Sequence, residues 1–200
     1  MKMTTIRRPL LALSAALLVS GLAACGSNAR ARTGYIPRSV KMTEVDDMTK
    51  EWRGGARIAD FASVTVAEVS TPNRGAYGEI SEEKLAEVRA VLQKALSEEL
   101  AQLKPSGAGG RTLVVRAAIT AIKPNNPLLN VAPQTQILKR GYGYASCEIY
   151  ATDGATGQVV AAFMQTADTQ RVSTEKFSDI GTAERAAKDW AKAFGELVAR

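Results

Sequence analysis

Between Ser81 and Pro105 the apolar residues recur at helical spacing, and no other stretch constrains the fold as strongly. Leu85, Val88, Leu92, Leu96 and Leu103 fall at three-, four- and seven-residue intervals, with Ala95 and Leu100 beside them. Glu and Lys fill the opposite side, so the stretch has one apolar stripe and one solvated face. Ser81 sits where an N-cap is needed, and Glu82 and Glu83 place negative charge against the positive end of the helix dipole. Pro105, Gly107, Gly109 and Gly110 end the pattern. The spacing predicts a helix over about 82–104. A stripe of that length needs a broad apolar surface to lie on.

The flanking segments read as strands that supply such a surface. Ile58 to Ser70 is predicted as the first, on Val64, Thr65, Val66 and Val69, and Thr71-Pro72-Asn73-Arg74-Gly75 stops it. Thr112 to Ile122 is apolar almost throughout, apart from Arg116 and Thr120, which suits a central strand. Lys139 to Ala151 has two unlike faces: Gly143, Ala145, Cys147 and Ile149 alternate with Tyr142, Tyr144, Ser146, Glu148 and Tyr150. Thr152-Asp153-Gly154-Ala155-Thr156-Gly157 is turn chemistry for a hairpin into a fourth strand, Gln158 to about Asp168. Thr169 to Ile180 is polar and leads to a last helix over about 182–199, striped by Ala183, Ala187, Trp190, Phe194 and Leu197. The order β-α-β-β-β-α predicts an α+β fold: a four-stranded mixed or antiparallel sheet with both helices on one face. The first helix is a crossover, and the last three strands form a meander. The small-residue face of the third strand is the surface expected to lie beneath the helices. Cys147 is therefore expected to be buried, with Tyr142, Tyr144 and Tyr150 facing away.

The first residues stand apart from this domain. Lys2, Arg7 and Arg8 precede an apolar run from Leu10 to Leu22, too short to span a bilayer but right for the core of a signal peptide. The run ends in Leu22-Ala23-Ala24-Cys25, which resembles the lipobox of bacterial lipoproteins. The reading that follows is a removed signal peptide at 1–24, a lipid-modified Cys25 with a tether over 25–51, and a single domain over 52–200 that opens near Trp52. Acylation by two or more chains, palmitate among them, gives stable anchoring where one chain does not. Gly26, in place of an aspartate, points to the outer membrane, with the domain in the periplasm. Losing Lys2, Arg7 and Arg8 from 26 basic residues, against 20 acidic ones, leaves a net charge of +3, which gives no reason to expect a nucleic-acid partner. Arg30, Arg32, Arg38 and Lys41 stay near the anchor; the first reading of them is a solvated tether, and the second a contact with anionic headgroups.

Catalytic and metal chemistry find little to work with. The chain has no histidine, and Cys147 is the one thiol left beside Cys25, so no disulfide, no cofactor and no metal site is expected. Gly107 to Thr112 looks superficially like a phosphate loop, but it lacks the lysine and precedes a strand. Asp46-Asp47 and Glu82-Glu83 are adjacent carboxylates that point apart. Two features suit a partner interface. One is the proline-punctuated stretch from Lys123 to Leu138, which carries Leu128, Leu129 and Val131; loops of that length are often functional, and the alternative, which comes first, is that these apolar residues fold back over a sheet edge. The other is the stripe Tyr142, Tyr144 and Tyr150, on a face open to a partner or covered by the chain's own N-terminal segment.

Three of these stretches carry a family resemblance: Arg111 to Thr120 (RTLVVRAAIT), Gly143 to Tyr150 (GYASCEIY) and Asp153 to Ala162 (DGATGQVVAA), together with the helix bearing Trp190. They resemble the bacterial lipoprotein family known as domain of unknown function 3313. Gly34-Tyr35-Ile36 faintly echoes that family's opening motif. The resemblance implies an envelope address and a fold, and it implies no activity and no site residues. The expected function is a non-enzymatic binding or envelope-assembly module, anchored to the membrane by its acyl chains and meeting an envelope protein or a second copy of itself. The alternative is a carrier holding a small apolar ligand between sheet and helices. An unrecognised hydrolase stands third.

Overall fold

The computed structural model describes residues 32–72, 74–77, 80–124, 143–168 and 180–200. Among the described residues, two helices and a six-stranded mixed sheet make an α+β domain. The strands are β1 (Thr43–Glu44), β2 (Thr49–Arg53), β3 (Ser63–Val66), β4 (Thr112–Lys123), β5 (Tyr144–Asp153) and β6 (Val159–Asp168). The helices are α1 (Glu82–Gln102) and α2 (Gly181–Ala199). Across the sheet the order is β1-β2-β6-β5-β4-β3. β3 and β4 are parallel with α1 as their crossover, and every other pairing is antiparallel.

The crossover, the β4-β5-β6 meander and the two-helix layer follow the expected plan, but the strand number does not. The sheet has six strands, not four. The addition is the β1–β2 hairpin, in a segment read as tether. β2 pairs with β6 from Thr49↔Gln165 to Arg53↔Ala161, so an expected domain boundary at 52 falls inside a strand. Trp52, the expected opening of the domain, is a strand residue opposite Ala162. The first strand is also shorter than expected. Ile58–Asp60 forms a 3-10 turn, in which Asp60 Oδ2 accepts the Arg57 N–H at 2.7 Å, and Phe61 turns fully inward.

Both helices cover one face of the sheet. Leu85, Val88, Leu92, Leu96 and Leu100 of α1 join Ala187, Trp190 and Phe194 of α2 in one core, over Leu113, Val115, Ala117 and Ile119 of β4 and Ala145, Cys147 and Ile149 of β5. A bulge between Ile119 and Ala121 shifts the side-chain phase and returns Ile122 to the same core. Ser81 caps α1 as expected, its Oγ accepting the Lys84 N–H at 3.3 Å. Gly195 brings α2 close to α1, since a Cβ there would lie 2.6 Å from Glu99 Cγ. A second, smaller core lies on the other face, where Ile36 and Val40 pack on Ala162 and Met164.

Candidate functional site

The face turned away from the helices is not open. A strap of chain from Arg32 to Val40 crosses it, and one carboxylate organises the crossing. Glu148, in the middle of β5, is 1% exposed. Its Oε1 accepts the Thr33 N–H at 2.5 Å and the Thr33 hydroxyl at 2.9 Å, and its Oε2 accepts the Ile36 N–H at 2.9 Å. A buried charge is tolerated only when its lone pairs are satisfied, and the strap supplies three donors. Arg32 holds the strap's own shape, donating to the carbonyls of Ile36, Pro37 and Val40. The Tyr35 hydroxyl donates to the Ala117 carbonyl at 3.0 Å, and its ring meets Tyr150 edge-on at 5.6 Å between centroids. Burial raises the Tyr35 pKa above its ordinary value.

This arrangement places the residues singled out in the sequence. Tyr144 and Tyr150 lie half-buried on the strap side, and Tyr150 is packed by Tyr35 from the chain's own N-terminal segment. Cys25, Leu128, Leu129, Val131 and Tyr142 lie outside the described residues. Arg32 is committed to backbone carbonyls, whereas Arg38 and Lys41 are exposed. In the sequence, alternation assigns Glu148 only to a polar face. Its partners sit more than a hundred residues earlier, and only the folded chain brings them to it.

The opposite edge of the sheet carries a different feature. β3 pairs with β4 on one side only, so alternate backbone groups of Ser63–Val66 face away from the sheet. Just beyond, Gln93 of α1 caps the backbone: its Oε1 accepts the Val69 N–H at 3.0 Å, and its Nε2 donates to the Val66 carbonyl at 3.3 Å. An open trough of about 410 Å³ runs beside the uncapped part, lined by Ala62, Val64, Val66, Leu100 and Pro105. A second, of about 430 Å³, lies between α1 and the chain after β3, against Val69, Ala86, Arg89 and Ala90. Among the described residues no group of three or more His, Cys, Asp or Glu side chains forms a metal-sized cluster.

A family model described as a protein of unknown function, DUF3313, matches residues 39–194. The chain belongs to that family. No curated protein matches it. Among solved structures it is similar to the PelC dodecamer from Paraburkholderia phytofirmans, at 12% identity and a TM-score of 0.45, over 76% of this chain and 98% of that one. It is also similar to a candidate lipoprotein from Caulobacter crescentus CB15, at 12% identity and a TM-score of 0.36, over 71% of this chain and 89% of the other. A hypothetical protein of Chlamydia trachomatis, CT253, aligns at 11% identity and a TM-score of 0.37, over 68% of this chain and 98% of that one. No helix among the described residues is long and apolar enough to cross a membrane.

Proposed function

We propose that this protein is an envelope lipoprotein, anchored through Cys25 in the outer membrane with its domain in the periplasm. Its domain acts as a non-enzymatic binding or assembly module. The edge of β3 carries this reading. Ser63-Val64-Thr65-Val66 has no charge and no proline, the usual protections of an exposed edge, and a trough of mixed lining, with Val64, Val66 and Leu100 beside Ser63 and Ser97, runs alongside it. An extended segment of an envelope partner, or of a second copy, would add there as a strand and place alternate side chains in the trough. A photo-crosslinking residue at Ser63 in cells is the test. It should trap one discrete partner that the same residue at the exposed Lys94 of α1 does not. Val64→Pro, at a residue whose N–H faces away from β4, should abolish the adduct. Equal crosslinking at both positions would refute the edge as an interface. The carrier reading ranks second: the trough at Val69 has room for a small apolar ligand, but it is open and would leave much of that ligand in water.

A further inference from the structure

The carboxylate of Glu148 and the short chain before the strap together bear on how the domain sits on its membrane. We propose that the strap is a latch that holds the domain strap-side towards the lipid surface, with Glu148 as the catch. This rests on Cys25 being the anchor. From Cys25 to Arg32 is seven residues, which reach at most about 25 Å when fully extended. Thr33 is pinned over the middle of β5 by Glu148, so the tether leaves from within a sheet face and not from a rim. β5 is ten residues long, roughly 33 Å, so its centre lies about half of that from the rim, against the tether's greatest reach of about 25 Å. Little tether remains beyond the rim. The helices, on the opposite face, are therefore turned away from the lipid, and the exposed Arg38 and Lys41 are carried towards anionic headgroups.

The latch can open because of what it is made of. Glu148 faces the strap and not the helix-covered core, so lifting the strap exposes the carboxylate to water instead of stranding it in apolar surroundings. Freed as far as β1, the chain from Cys25 to Thr43 is 18 residues and reaches about 60 Å. The Glu148 hydrogen bonds, with the packing of Ile36 and Val40 on Ala162 and Met164, thus decide between a domain held against the membrane and one that extends far from it.

The test couples the chain from Cys25 onward, through that thiol, to a maleimide lipid in phosphatidylethanolamine and phosphatidylglycerol vesicles bearing headgroup nitroxides. Buried Cys147 stays out of the coupling. Coupling replaces natural acylation, so a failure of the lipobox reading cannot masquerade as a failure of the latch. Trp52 packs beside the strap, and Trp190 lies in the helix-side core, so the protein carries its own two probes. The nitroxide should quench the Trp52 emission, and Trp52→Phe should remove the quenched component. Glu148→Gln keeps the size, but its single amide oxygen can serve Thr33 or Ile36 and not both. It should bring quenching down to the Trp52→Phe level while Trp190 emission stays native, and speed amide exchange at Ile36. Thr33→Val should act in the same direction more weakly. Absence of Trp52 quenching in the parent chain would overturn the orientation. Unchanged quenching and exchange in Glu148→Gln would overturn the catch.

Discussion

Cys147 shows how one residue reads its surroundings. It is 0% exposed beneath the helices, in phase with Ala145 and Ile149, and burial pushes its thiol well above the ordinary range. A thiol so placed is neither ionised nor reachable. Native protein carrying Cys25→Ser should resist thiol reagents until denaturant is added; rapid native modification would mean that the helix layer does not cover β5. Asp153 is the opposite case. The Ala155 N–H and the Arg111 guanidinium, at 2.9 and 2.5 Å, hold its carboxyl below its ordinary pKa. Arg111 is itself stacked over Phe61, 4.8 Å from the ring centroid, so the pair ties the β5–β6 turn to the start of β3. A depressed carboxylate contributes stability that is present above its unfolded pKa and lost as pH falls through the folded one. Asp153→Asn should therefore lower the denaturation midpoint at neutral pH. The gap to the parent chain should close below about pH 4. A gap independent of pH would show that the turn geometry matters and the charge does not.

Among the elements, α1 was the most legible and the β1–β2 hairpin the least. The α1 stripe is a repeated signal over 21 residues, and Leu92 sits at its buried centre. Leu92→Ala should cost roughly 2–5 kcal/mol by chemical denaturation. A cost below about 0.5 kcal/mol, the range of surface substitutions, would place Leu92 outside the core. β2 gives no comparable signal. Thr49-Lys50-Glu51-Trp52-Arg53 is short and mostly polar, and what makes it a strand is the edge of β6, with Gln165 Nε2 donating to Thr49 Oγ1 at 2.8 Å. The overlong first strand has a related cause. Ile58 and Phe61 look like strand residues by composition, yet they reach the core from a tight turn.

At the scale of the molecule, the sheet is covered twice, by two helices on one side and by the chain's own N-terminal strap on the other. The strap joins the domain to whatever lies before Arg32 and is part of its fold. Cys25→Ser should move the protein from the membrane fraction to the soluble envelope fraction without changing its thermal unfolding. Unchanged membrane association of that variant would refute the lipid anchor.

The local patterns settled a good deal without a partner in view. Helical spacing placed α1 and α2, alternation put Cys147 on the helix side and Tyr150 on the other, and Asp153-Gly154 marked the hairpin, because each is written in residues close together along the chain. Tertiary structure alone decided the rest. A polar segment becomes β2 only when β6 offers unpaired backbone, and Tyr150 is covered only because Tyr35 reaches it. Glu148 becomes a catch only when Thr33 and Ile36 arrive from 115 and 112 residues away to satisfy a charge that could not otherwise be buried.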